Sequence, residues 1–152
     1  MSIRCEIVSQ DRVVFEGEAD IVVVPGTLGE MGILPRHEPL LTTLDFGVIK
    51  VRYKGREEIF TVAGGVMDVQ PEIVTILADA AENVAEIDIA RAEEARKRAE
   101  RYLEEGPPRD TDAYLRMDAA LRRSNLRLDA VRRYRRGGRS PVSPGLEDET
   151  TK

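Results

Sequence analysis

The chain of 152 residues has no tryptophan, one histidine, one cysteine, and no uninterrupted apolar run longer than the four residues of Ile21–Val24. Each shortage removes a class of protein. Cys5 alone cannot form an internal disulfide or a multi-cysteine zinc site, and His37 alone leaves few metal-dependent or histidine-based catalytic designs. A helix needs ~20 apolar residues to span a bilayer, so none is expected to do so here. The first residues carry no basic stretch followed by an apolar one, so no secretory leader is expected and a reducing, cytoplasmic compartment fits. Aromatics are only 5%, but apolar residues reach 41%, enough for a core, and wholesale disorder is not expected. No acid–base pair, nucleophile or metal set stands out. The catalytic and metal residues are expected to be none, and no cofactor is required.

Charge is unevenly placed. Residues 1–85 hold seven Lys/Arg against fourteen Asp/Glu, whereas residues 86–152 hold sixteen against fourteen. Within the second part, residues 116–136 set eight arginines against only Asp118 and Asp129. The shift in charge and residue type near position 85 predicts a domain boundary there.

The first 85 residues read as strands. Ile3, Cys5 and Ile7 alternate with Arg4 and Glu6, and Ile49, Val51 and Tyr53 alternate with Lys50, Arg52 and Lys54. That period of two marks a sheet with one wet face. Lys54-Gly55-Arg56 supplies a turn, and Ile21–Val24 and Ile73–Leu77 are further β-branched runs. Pro25-Gly26, Gly47, Gly64-Gly65 and Pro71 punctuate them. Many short strands with turn signals every 8–12 residues predict an all-β sandwich or barrel, without helices to build a parallel α/β sheet.

From residue 86 the period changes. Ala92, Ala95, Ala99 and Tyr102 line one face of a helix with Asp88 as its N-cap, and Gly106-Pro107-Pro108 stops it. A second helix starts near Asp110 or Asp112, with the stripe Tyr114, Met117, Leu121, Ser124, Leu128 and Val131, and Gly137-Gly138 ends it. The two make an antiparallel two-helix hairpin over 86–136. Its first stripe is alanine. At roughly 25 cal/mol per Å², alanine in place of leucine forfeits several kcal/mol, so the hairpin is predicted to be marginal and to lean on a partner surface. Residues 137–152, rich in Pro, Gly, Ser and Thr with an acidic end, predict a disordered tail.

Several motifs in fixed order carry a family resemblance over residues 2–134. GEMGILPRHEPL (Gly29–Leu40) with Thr42, Leu44 and Gly47 comes first. Ala63-Gly64-Gly65-Val66, Val69-Gln70-Pro71, Val74–Ala78 and Ile87-Asp88-Ile89-Ala90-Arg91-Ala92 follow. Together they resemble the epsilon subunit of bacterial F-type ATP synthases. The resemblance implies a non-catalytic central-stalk subunit, peripheral on the cytoplasmic face of the plasma membrane. Its sandwich (1–85) would bind the gamma subunit and sit on the c-ring, coupling proton-driven rotation to ATP synthesis. Its hairpin would permit turnover when folded against the sandwich, and inhibit ATP hydrolysis when extended toward the alpha and beta subunits.

The same resemblance assigns residues. Glu30, Met31 and His37 fall in the loop facing the c-ring. Glu82, Asp88, Arg91, Ala92, Arg98, Arg123 and Arg127 match positions through which some epsilon subunits bind a regulatory ATP. Read bare, Asp88 is an N-cap, Arg91 and Arg98 share a helix side, and Arg123 and Arg127 are like charges at i, i+4. Such a pair calls for an anion, either the acidic surface of the first helix or a polyphosphate held by guanidinium groups. Gly26, Gly29 and Gly32 do not make a phosphate loop, because Pro35 follows rather than a helix N-terminus. Arg36 stands where the family has glycine, and His37 reads as a turn residue. Arg132-Arg133-Tyr134-Arg135-Arg136 suggests an alternative, a β-sandwich adaptor with an RNA-binding helix; the acidic chain argues against nucleic acid.

Overall fold

A computed structural model describes residues 1–105 and 110–135. Its strands are β1 (Ile3–Val8), β2 (Val13–Ala19), β3 (Ile21–Gly26), β4 (Gly29–Ile33), β5 (Leu40–Tyr53), β6 (Arg56–Val69), β7 (Ile73–Ala78) and β8 (Ala81–Asn83). Helices α1 (Ile89–Glu104) and α2 (Thr111–Ala130) follow. The strands hydrogen-bond in the order β2-β1-β7-β6-β5-β3-β4, with β8 beside β6. The sheet folds over on itself, so that Ile3, Cys5 and Ile7 of β1 share one buried cluster with Val22 and Val24 of β3 and Ile33 of β4. The fold is therefore the predicted β-sandwich followed by a helical hairpin. β1 lies parallel to β7, while the other strand pairs are antiparallel.

The expected short strands are corrected at Gly47 and Gly64-Gly65. These glycines lie inside β5 and β6, each fourteen residues long, not between strands. Gly64 and Gly65 have φ of +86° and +142°, which turns the chain through a corner without ending the strand. At that corner β6 exchanges β8 for β7 as its neighbour. The buried set changes with it, from Phe60 and Val62 to Met67 and Val69. Glycine signals a bend as readily as a chain reversal, and only pairing separates the two.

Arg36 adopts φ +63°, the left-handed backbone that glycine takes without strain, and its N–H donates to the Pro71 carbonyl at 2.9 Å. The Lys54-Gly55 turn also has two positive φ angles, with the Lys54 N–H donating to Asp20 Oδ2 at 2.8 Å.

Asp88 caps α1 by accepting from the Arg91 N–H at 3.1 Å. Asp110 caps α2 by accepting from the N–H groups of Asp112 and Ala113. Ala92, Ala99 and Ser124 are buried in the seam, with Tyr102, Met117, Leu121 and Leu128 half-buried around it. Tyr114 departs from its stripe. It is exposed, in the first turn of α2 at the loop end of the hairpin. At the other end Val84, Ile87, Ala130 and Val131 form a small cluster against Val48, Ile59 and Tyr134, joining hairpin to sandwich. Here α2 widens into a π turn over Val131–Arg135. The expected stops at Gly106-Pro107-Pro108 and Gly137-Gly138, Arg136, and the tail over 137–152 lie outside the described residues.

Candidate functional site

Where the hairpin lies on the sandwich, a cavity of about 640 Å³ opens between them. Three carboxylates (Asp11, Asp79, Glu82) and three guanidinium groups (Arg12, Arg123, Arg127) line it. Its apolar wall is shallow, built from Ala63, Ala95, Ala120 and Leu126. The volume falls in the range of ligand pockets, with small apolar side chains between equal numbers of acidic and basic groups.

The sequence asked what anion would meet the α2 arginines. Arg127 is met not by α1 but by Glu82 of β8: Nε donates to Oε2 at 2.8 Å and Nη2 to Oε1 at 3.2 Å. The expectation of an acidic partner on α1 is corrected for this residue. The α1 carboxylates Glu93, Glu94 and Glu100 are exposed, whereas Glu82 sits on β8, beside the strand β6 that α2 contacts.

Further polar contacts hold the hairpin down. The Arg122 guanidinium lies 4.1 Å from the centroid of the Phe46 ring and 3.9 Å from Asp45 Oδ1. Arg135 Nη2 donates to the carbonyls of Val84 and Ile87, at 2.7 and 2.9 Å, across the linker that leads into α1. Lys50 Nζ stands 5.4 Å from the centroid of Tyr134.

The remaining nucleotide-type positions are scattered. Asp88 serves as a helix cap and Ala92 is buried in the helix seam. Arg91 and Arg98 are exposed on α1 and do not line the cavity, which collects Glu82, Arg123 and Arg127.

The expected c-ring loop is not one loop. Gly29–Ile33 forms β4, paired with Val22–Gly26, so Glu30 and His37 stand at different ends of a strand. Glu30 is exposed beside the Thr27-Leu28 turn, where Leu28 is fully exposed. Met31 packs against the sandwich core. His37 lies in the turn after β4, its Nδ1 2.7 Å from the Glu38 carbonyl oxygen. The glycines that suggested a loop allow tight pairing of the β3–β4 hairpin instead.

One outer face of the sandwich carries an apolar row beside the charged Arg4, Glu6 and Glu16. Val13, Val8, Leu77 and Val66 are successive cross-strand neighbours on β2, β1, β7 and β6, and Thr43 on β5 continues the row. Val13 and Leu77 are more than half exposed, as is Leu41 on the same side of β5. Exposed apolar groups in register mark an interaction surface.

Sequence reasoning missed Arg12, Asp45, Asp79 and the separate uses of Arg122 and Arg135. Arg122 with Asp45, and Arg135, make contacts across the joint, while Arg12 and Asp79 line the cavity there, and no spacing along the chain signals such a meeting. The excess of arginine over 116–136 was the available sign that α2 needs carboxylates or carbonyls from elsewhere. Cys5 is fully buried, and burial pushes its thiol up to about 12, so it is a small core residue.

Comparison with known proteins matches residues 2–84 to the beta-sandwich domain of the ATP synthase Delta/Epsilon chain. Residues 85–132 match the long alpha-helix domain of the same chain. The ATP synthase epsilon chain of Moorella thermoacetica is 47% identical over 131 residues, 86% of this chain and 96% of that protein. That of Herpetosiphon aurantiacus is 44% identical over 132 residues, 87% and 96% of the two chains. Among solved structures, a chain of the Euglena gracilis mitochondrial ATP synthase, in its OSCP/F1/c-ring assembly, superposes with a TM-score of 0.70 at 24% identity. It covers 86% of this chain and 81% of that one, and shows a shared fold. With both domain types matched in order and relatives aligned over nearly their whole length, the chain belongs to the ATP synthase delta/epsilon family, as an epsilon chain.

Proposed function

We propose that this chain is a non-catalytic central-stalk subunit of an F-type ATP synthase, which couples rotation through its sandwich and restrains ATP hydrolysis through its hairpin. The observation that carries this reading is the uneven attachment of the two parts. The sandwich has its own closed core, whereas the hairpin rests on one small apolar cluster and a few arginine contacts. A joint of that kind separates without unfolding the sandwich.

The apolar row from Val13 to Val66, with Leu41 beside it, is the surface for the gamma subunit. Leu28 at its turn, with Glu30 beside it, reaches the polar loops of the c-ring, where a rim charge sets register more than affinity. Released, the arginine-rich α2 turns toward acidic surfaces of the alpha and beta subunits. Among the described residues no helix is long and apolar enough to cross a membrane. As a stalk subunit the chain attaches to the cytoplasmic face of the membrane through its partners.

The cavity at the joint is the site of a regulatory nucleotide such as ATP, held through Arg123 and Arg127. A ligand that occupies only the docked state stabilises that state by mass action. The RNA-binding alternative gains no support. Arg132 pairs with Asp129 at 2.7 Å, Tyr134 is half-buried and Arg135 is engaged with carbonyls.

The test is a complex assembled with residues 87–152 removed. Assembly persists and ATP hydrolysis rises; a truncated complex as inhibited as the intact one removes the regulatory role. Leu77→Asp weakens binding to purified gamma subunit at least tenfold; unchanged binding removes that surface.

A further inference from the structure

The cavity has a wall that the hairpin does not supply. The β1–β2 turn, Ser9–Arg12, brings Arg12 to the same space that Arg123 enters from α2. Their settings differ from that of Arg127. Among the described residues neither Arg12 nor Arg123 has a carboxylate oxygen within 4 Å, whereas Arg127 is already held by Glu82. Asp11 accepts from the Ser9 hydroxyl at 2.9 Å and is not paired with Arg12.

Two guanidinium groups from two different parts of the fold thus line one cavity without a carboxylate in direct contact, although Asp11, Asp79 and Glu82 line it too. An anion with several oxygens supplies that direct contact to both at once, because guanidinium groups bind phosphate oxygens bidentately.

We propose that Arg12 is a phosphate-binding residue of this cavity, and that a nucleoside polyphosphate bridges Arg12 on the sandwich and Arg123 on α2, fastening the hairpin in its docked position. The inference rests on the nucleotide reading above and adds to it the sandwich's own ligand. It explains why occupancy and docking are one event: a ligand held by α2 alone would travel with the hairpin, while a bridging ligand is lost when the hairpin leaves. The alanine floor accommodates the nucleoside and the two arginines take the phosphates. Tripolyphosphate, which lacks the nucleoside, uses the same pair.

The test is calorimetric titration of the full chain with ATP and, separately, with tripolyphosphate at low salt. The variants are Arg12→Ala, Arg123→Ala and, as a control outside the cavity, Arg56→Ala. Hairpin docking is followed in parallel by energy transfer between dyes placed at positions 57 and 115. Arg12 lies exposed in a turn held by its backbone carbonyl, which accepts from the Ser9 N–H at 2.9 Å, so its alanine variant folds. Arg12→Ala and Arg123→Ala each weaken both ligands about tenfold or more. In both variants ATP at the wild-type saturating concentration no longer raises the docked fraction. If Arg12→Ala binds like the wild type while Arg123→Ala does not, the bridging role is overturned and the nucleotide reading stands. An equal loss in Arg56→Ala reduces the effect to overall charge and also overturns it. If the wild type binds neither ligand, the nucleotide reading falls and this inference falls with it.

Discussion

Arg127 and Glu82 stand forty-five residues apart in sequence and meet as a two-pronged pair, with Nε and Nη2 of the guanidinium and both carboxylate oxygens engaged. Each side chain is about three-quarters covered. The pair therefore differs from the exposed Arg132–Asp129 pair on α2, which joins neighbours on one helix and fastens nothing to the sandwich. Glu82→Gln keeps the shape and removes the charge. It is expected to favour the undocked hairpin by about 1.5–3 kcal/mol, the range for charge-assisted hydrogen bonds. Protease cleavage of α2 should accelerate about tenfold or more while the sandwich stays intact. Cleavage at the wild-type rate would mean that the pair does not hold the joint.

Arg36 carries a conformation that suits glycine. An L-residue in the left-handed region costs roughly 1–2 kcal/mol, partly offset because glycine adds freedom to the unfolded chain. Arg36→Gly is expected to raise stability by about 0.5–1 kcal/mol in urea denaturation. A decrease would show that the arginine side chain contributes more than its backbone costs.

Gly65 has the opposite requirement. A Cβ there would overlap the Leu77 carbonyl oxygen and crowd the Ala78 Cα at 2.8 Å, both backbone atoms of the neighbouring strand. Gly65→Ala should lose about 3 kcal/mol or more, since the strain of a positive φ adds to the clash. Equilibrium urea unfolding with an unchanged midpoint would contradict the corner geometry.

Cys5 provides the pH test. Its thiol is raised from 9.0 to about 12 by burial, so above pH 9 the unfolded chain releases a proton that the folded chain keeps. Stability therefore falls as pH rises from 9 toward 12, by at most about 1.4 kcal/mol per pH unit from this group. Comparison with Cys5→Ala isolates it: the wild type should lose stability faster with pH than the variant. Parallel curves would place the thiol nearer solvent. At pH 9 a disulfide reagent should label Cys5 only as fast as the sandwich opens.

The strand pattern of β1 and the far half of β5 was legible because Ile3, Cys5, Ile7, Ile49 and Val51 alternate with charged residues. Asp88 was legible as a cap because capping is local. Gly64-Gly65 was misread as a break, since a glycine pair serves a corner inside a strand as well as a turn between strands. The grouping of Glu30 with His37 failed for a related reason: the pairing of β4 with β3 rests on partners elsewhere in the chain. At the joint, Arg123 and Arg127 were identified as needing an anion. That Glu82 answers one of them, and that Arg12 shares the cavity with the other, depends on how the hairpin lies across β8. Local periodicity contains nothing of that.

The parallel pairing of β1 with β7 also fixes an order of events during synthesis. The sheet cannot close around β1 until Ile73–Leu77 has emerged from the ribosome, and by then every residue of the outer apolar row has emerged too. The two helices are translated after that. A nascent chain thus completes its outer apolar row first and acquires its helical hairpin last.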